Sequence, residues 1–214
     1  MGSTVDIDTL TGTVESVSTN GVNEVNALCF DSSVDTCTFI EYDTDSAVRP
    51  NLTMEVWYKP EAYPDSRDWI LAHDDGGYDR AILTYDTRFS GAAIAVGTSY
   101  TSTLGYPELG EWIHLVATYS SDGVATLYQN GGDLTVGGSQ QTVTVTADSG
   151  SSWTNIGLNG VPKYNNHFVV GCFAQVQLTD RVLSAEEVAD LYAEYDAVIN
   201  YGTTSPLRSE MLLK

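Results

Sequence analysis

Positive charge is what this chain has least of. Nine Lys and Arg stand against 29 Asp and Glu in 214 residues, a formal net charge of −20. Binding nucleic acid needs a cationic surface that displaces condensed counterions, so no nucleic-acid partner is expected. An anionic lipid surface is excluded on the same ground. No stretch approaches the ~20 apolar residues of a membrane-spanning helix, so no membrane insertion is expected either. A secretory signal is missing as well: Met1 leads straight into Gly2-Ser3-Thr4, with no basic or apolar region. That start has two readings. It is a cloning remnant ahead of a secreted domain, or a native start on a protein that reaches the exterior another way, for example on a virus or phage particle. The acidic excess itself has a bland reading, solubility through self-repulsion. Its sharper reading is that some carboxylates cluster to hold Ca²⁺.

Cysteine is scarce too. Cys29, Cys37 and Cys172 show no C-x-x-C spacing, which argues against a zinc or redox site. Either one pair is bridged and one thiol is free, or all three are small buried apolar residues. No G-x-S-x-G element, H-E-x-x-H motif or phosphate loop occurs.

What is present is β-forming. Apolar residues make up 42% of the chain, and Gly, Ser, Thr, Tyr and Val are prominent. That mix favours short strands and many turns. Leu52, Met54, Val56 and Tyr58 fall at alternate positions of one segment, as do Ile113, Leu115, Ala117 and Tyr119 of another. Period-2 alternation marks strands with two different faces. Ser121-Asp122-Gly123 turns the chain into a returning strand, Val124 to Gln129, and Asn130-Gly131 is a further turn signal. Further strands are expected at 68–73, 78–85, 91–97, 141–146, 153–158 and 167–178. One helix is predicted late. Ser184 and Glu187 form a capping box, with Leu183 and Val188 as its hydrophobic staple. Val188, Leu191, Tyr192 and Tyr195 then recur at helical spacing. The expected organisation is one domain: residues 1–25 an N-terminal arm or edge strand, 26–199 the sandwich, and 200–214 a tail.

Four segments in order resemble the laminin G-like branch of the concanavalin A-like lectin/glucanase superfamily. They are Ala27-Leu-Cys-Phe-Asp31, Leu52 to Pro60, Gly110 to Tyr119 with Leu127-Tyr-Gln-Asn-Gly131, and Gly171 to Val176 with Asp180-Arg-Val-Leu-Ser184. The resemblance covers about 27–195 and implies an all-β fold: a two-sheet antiparallel jelly-roll sandwich with one short C-terminal helix. It places the first and last strands side by side, which makes Cys29–Cys172 a candidate cross-strand disulfide, with Cys29–Cys37 as its rival. It also puts Trp57 and Trp112 on core positions and His114 on a structural one. The chain departs from the family at Ala174-Gln175, where relatives carry two acids, and at Ser32, where they carry Gly.

The superfamily includes glucanases with an E-x-D-x-(x)-E catalytic strand. A retaining glycosidase needs two carboxyls about 5–5.5 Å apart. Glu41-Tyr-Asp-Thr-Asp45 has the alternation but lacks the final Glu, so the chain is read as no enzyme. Binding is the better expectation. Asp74, Asp75 and Asp79 fall in the loop 72–80 around Gly76-Gly77, and Ca²⁺ wants several hard oxygens. The resemblance brings a late loop, 159–167, to the same rim, with Asn166 as a further metal ligand. Trp69, Tyr78, Tyr164 and Asn165 complete a carbohydrate platform, since a sugar offers an apolar face and a polar edge. The expected function is therefore a non-catalytic, extracellular recognition module that binds carbohydrate, with Ca²⁺ as cofactor. The alternative is a structural or adhesion subunit of a virion or surface fibre. Such a subunit would bind protein surfaces or copies of itself through the N-terminal arm and C-terminal tail.

Overall fold

Alternation in the sequence becomes two facing sheets in the structure, a computed structural model. It describes residues 13–19, 23–30, 40–43, 51–63, 69–73, 80–83, 92–96, 99–102, 108–132, 138–144, 155–158 and 170–199. The strands are β1 (Thr13–Thr19), β2 (Asn23–Phe30), β3 (Ile40–Asp43), β4 (Leu52–Pro60), β5 (Trp69–His73), β6 (Arg80–Leu83) and β7 (Ala93–Val96). They continue as β8 (Ser99–Ser102), β9 (Ile113–Tyr119), β10 (Val124–Gln129), β11 (Ser139–Thr144), β12 (Asn155–Leu158) and β13 (Gly171–Thr179), and α1 (Ala185–Ile199) follows. Seven strands form one sheet in the order β1-β2-β13-β4-β9-β10-β11, and six form the other in the order β3-β12-β5-β6-β7-β8. Each pairing is antiparallel. The expected jelly-roll sandwich with one late helix is the observed fold.

The sandwich core follows from period 2. Leu52, Met54, Val56 and Tyr58 of β4 meet Ile113, Leu115, Ala117 and Tyr119 of β9 in one cluster, with Leu71 and Ile94 from the other sheet. Each Leu, Ile, Val or Met among them stabilises the fold by roughly 1.5–3 kcal/mol on burial. The alternate residues of β4 are buried as well. Thr53, Glu55 and Trp57 are each at most 1% exposed, because α1 covers that outer face. Trp57, Trp112, Ala174 and Ile199 share a second cluster with Tyr192 and Tyr195 of the helix. Val116, Tyr128, Leu183 and Val188 form a third.

The two strands expected to be neighbours are neighbours. Cys172 lies opposite Cys29 in the β13–β2 register, and the two are disulfide-bonded with their Cα atoms 4.0 Å apart. Cys37 falls outside the described residues. The 1–25 stretch holds β1 at the sheet edge, and β2 begins at Asn23. β3 and β8 were not anticipated in the sequence. Close approach explains one glycine: a Cβ on Gly171 would stand 2.3 Å from the Lys59 carbonyl oxygen. After β10 the chain makes a 3-10 turn at Asn130–Gly132, and a Cβ on Gly131 would press on Tyr192 at 3.0 Å. The turn therefore seats the helix as well as redirecting the strand.

Candidate functional site

Because the sheets are antiparallel, the links between strands gather at two rims. Register fixes which rim each strand end belongs to. In the six-stranded sheet His73 pairs with Arg80 and Ile156, Arg80 with Val96, and Val96 with Ser99. Asn155 pairs with Asp43. These residues mark a first rim. At the opposite ends, Trp69 pairs with Leu83, Leu83 with Ala93, Ala93 with Ser102, and Leu158 with Ile40. These mark a second rim.

The predicted site residues divide between these ends. Asp74, Asp75, Tyr78 and Asp79 lie outside the described residues, in the link that leaves β5 at His73 and enters β6 at Arg80. Its anchor points are on the first rim. Tyr164, Asn165 and Asn166 also lie outside the described residues, in the link between Leu158 and Val170. That link departs from the second rim, where Trp69 opens β5. The two departure points are separated by the length of β5, about 13 Å at ~3.3 Å per residue. Among the described residues no group of three or more His, Cys, Asp or Glu side chains could hold a metal.

Three links join the second rim to the seven-stranded sheet, from Pro60 to Trp69, Ser102 to Ile113 and Leu158 to Gly171, and their ends on that sheet are the better described. Glu61 N–H donates to the Val170 carbonyl at 3.0 Å and Gly110 N–H to the Pro60 carbonyl at 2.7 Å. These bonds tie three turns together. Tyr63 is 55% exposed and Leu109 42%, and Glu61, Glu108 and Glu111 are exposed beside them in the chain. Lys59 pairs with Glu61 at 2.9 Å and lies 6.0 Å from the Trp112 ring centroid. A rim of exposed aromatic and aliphatic side chains with carboxylates can stack on one face of a ligand and accept hydrogen bonds from its edge. Sequence reasoning did not pick Tyr63 or Leu109. Their only signal is position, each in a turn next to Pro or Gly.

The most prominent titratable pair lies elsewhere. His114 Nε2 is 3.1 Å from Glu55 Oε1, with both side chains almost fully buried. His114 N–H donates to Asn130 Oδ1 at 3.0 Å. The Trp57 ring lies 5.0 Å from the imidazole and stacks on Tyr192 of α1 at 5.7 Å. A substrate has no path to this pair beneath the helix, so it joins sheet to helix, in line with the structural role expected of His114. Glu41 and Asp43 belong to β3, the outermost strand of its sheet.

A family model described as the concanavalin A-like lectin/glucanases superfamily matches residues 37–189. Curated proteins yield no match. Solved structures share the fold at low identity. A native heptameric SAP-like pentraxin from Limulus polyphemus is 17% identical with a TM-score of 0.53, over 68% of this chain and 70% of that one. Domain 4 of AbnA, a GH43 extracellular arabinanase from Geobacillus stearothermophilus solved with arabinotriose, is 14% identical with a TM-score of 0.56, over 85% and 81%. The binding domain of botulinum neurotoxin DC, in complex with rat synaptotagmin II, is 13% identical with a TM-score of 0.58, over 85% of this chain but 45% of that one.

Proposed function

The chain belongs to the concanavalin A-like lectin/glucanase superfamily, in its laminin G-like branch, and from that membership we propose a non-catalytic recognition module that binds carbohydrate with Ca²⁺ assistance in an extracellular setting. The observation that carries this reading is the second rim, where exposed Tyr63 and Leu109 neighbour three carboxylates. An aromatic face beside hydrogen-bond acceptors suits the apolar face and polar edge of a sugar ring. Trp69 begins its strand at this rim, and the link carrying Tyr164 and Asn165 departs from it. The arabinanase domain solved with arabinotriose supports the reading, since this chain spans 81% of it. The Cys29–Cys172 bridge supports an oxidising compartment. Ca²⁺ is assigned to Asp74, Asp75 and Asp79 on the first-rim link. Asn166 joins them only if its own link crosses the length of β5.

The test is a glycan array read with and without chelator, followed by calorimetry on the hits. Tyr63→Ala is expected to weaken the best hit about 2- to 10-fold, the range of one stacked ring. Replacing the three aspartates by Asn should abolish Ca²⁺ heat, and chelator should lower glycan signal. A folded protein that binds no glycan overturns the reading. Absence of Ca²⁺ heat at millimolar concentration removes the metal alone.

A second reading is favoured by one observation, the edge strand β1. On it the chain is an adhesion or particle subunit that recognises protein surfaces. The neurotoxin binding domain, solved with a protein ligand, supports that use of the fold. Absence of glycan binding together with tight protein association would select it.

A further inference from the structure

The sequence holds one Asn-x-Ser/Thr triplet, Asn51-Leu52-Thr53, with no proline at its middle position. Such a triplet is the acceptor for N-linked glycosylation, and the recognition function above makes no use of it. Asn51 is a bend residue ahead of β4, at the end of that strand remote from Pro60 and the second rim. It is partly exposed, whereas Leu52 is buried and Thr53 is 1% exposed. The two polar atoms of its amide differ in what they do. Oδ1 accepts from Ser121 N–H at 3.0 Å, in the exposed turn before β10. Nδ2 makes no hydrogen bond to a described residue. An N-linked sugar replaces one hydrogen on Nδ2 and leaves the carbonyl oxygen as it was, so the bond to Ser121 survives the modification.

We infer that Asn51 is an N-glycosylation site, modified before the chain folds, which carries its glycan on the end of the sandwich opposite the recognition rim. The donor is an oligosaccharide on a lipid-linked pyrophosphate. Its C1–O bond to phosphate breaks, a C1–Nδ2 bond forms, Nδ2 gives up one proton, and the lipid pyrophosphate leaves. The transferase needs the hydroxyl of the third residue as well as the amide of the first. In the folded chain that hydroxyl is already bonded twice, donating to the Arg181 carbonyl at 2.7 Å and accepting from Leu183 N–H at 3.0 Å. The folded chain thus presents Nδ2 but withholds Thr53, so transfer must come first. Folding then draws Thr53 inside and leaves the sugar outside. β4 runs from Leu52 to Pro60, which sets the attachment point about 26 Å from the second rim at ~3.3 Å per residue. The Cys29–Cys172 bridge fits the oxidising compartments in which this transfer takes place. The inference rests on the extracellular setting proposed above and not on the ligand of the rim.

The test is mass spectrometry of the full chain made in a eukaryotic cell line behind an added secretory leader, before and after peptide N-glycosidase. Medium and cell lysate are both read, so a retained chain is scored too. The expected result is a single N-glycan on Asn51, removed by the enzyme to leave an aspartate at that position. Asn51→Asp keeps the acceptor for Ser121 N–H and lacks the Nδ2 nitrogen, so it should fold and carry no glycan. Thr53→Ser keeps a hydroxyl and should still be modified at Asn51. A second arm reads the order of events, using solubilised oligosaccharyltransferase and its lipid-linked donor. The reduced and alkylated chain should be glycosylated, and the folded, oxidised chain made without glycan should stay unmodified. A chain that passes through the secretory route with Asn51 bare overturns the inference and leaves the recognition reading standing, since the glycan array is read on the bare protein. A folded chain modified as readily as the unfolded one overturns the claim that transfer comes first. A chain glycosylated at Asn51 that binds nothing on the array supports this inference while the carbohydrate reading fails.

Discussion

Thr53 shows how much one side chain can join. Its hydroxyl donates to the Arg181 carbonyl at 2.7 Å and accepts from Leu183 N–H at 3.0 Å. It thereby fixes the approach of α1 to β4 from a position 1% exposed. Thr53→Val keeps the shape and strands both backbone groups, so stability should fall by about 2 kcal/mol in urea denaturation. His114 and Glu55 make a sharper case. Removing His114 takes away the buried hydrogen-bond partner of Glu55, an expected loss of about 1–3 kcal/mol for H114A. Replacing both members by apolar residues, as in Glu55→Met with His114→Leu, leaves neither polar group buried without the other and should cost clearly less than H114A. A double replacement as damaging as the single one would mean the pair contributes through its shape and not its hydrogen bond. Gln175 carries a different burden. It has a φ of 48° where β13 bulges between Ala174 and Gln177, and its amide donates to Tyr195 Oη at 2.9 Å. The contact to the helix offsets the left-handed backbone, which costs a residue with a Cβ roughly 1–2 kcal/mol.

At the scale of the element, α1 is governed by its first turn. Ser184 N–H donates to Glu187 Oε2 at 2.8 Å, and Glu187 N–H returns to Ser184 Oγ at 3.2 Å. Arg181 adds a bond to the same carboxylate at 2.9 Å. Ser184→Ala removes the cap and should cost about 1 kcal/mol of helix stability. The Arg181 hydrogen bond, then that of the Ser184 backbone, lowers the Glu187 pKa from 4.5 to about 2. A carboxylate depressed in the folded state contributes stability above its unfolded value and loses it as pH falls. Ellipticity of the helix should therefore decline between about pH 4.5 and 2, and Glu187→Gln should flatten that segment of the titration. This element was legible in the sequence because a capping box is local. β4 and β9 were legible for the same reason, since alternation needs no partner. β3 and β8 were not: Ile-Glu-Tyr-Asp and Ser-Tyr-Thr-Ser are four residues each, too short and mixed to show a period. Nor did alternation reveal that Thr53, Glu55 and His114 are buried, since their polar face looks solvent-bound until α1 is laid over it. The division of the candidate loops between two rims depends on register, which is set by pairings far apart in the chain.

For the whole molecule the join between the β1–β2 hairpin and the rest is a short one. β2 meets β13 at three positions, Phe30, Cys29 and Leu28 against Gly171, Cys172 and Phe173, whereas β4 pairs along its length with β9. The hairpin also lies ahead of the segment matched by the family model, which begins at residue 37. What offsets so short a seam is the Cys29–Cys172 bridge, which spans 143 residues of sequence. Bridging that span removes much of the denatured chain's freedom, and loss of such a bond typically costs 2–5 kcal/mol. The loss should be uneven. Ala27 of β2 is buried on the helix side, in the cluster that holds Trp57 and Ile199. Reduction under native conditions is thus expected to release hydrogen-exchange protection first in residues 13–30, while β4 and β9 keep theirs. Global stability should fall by about 2–5 kcal/mol in the same step. If the hairpin and the β4–β9 core lose protection together, the sandwich and its N-terminal strands are one cooperative unit. If neither moves, the strand pairing and the helix contact hold the hairpin without the covalent link.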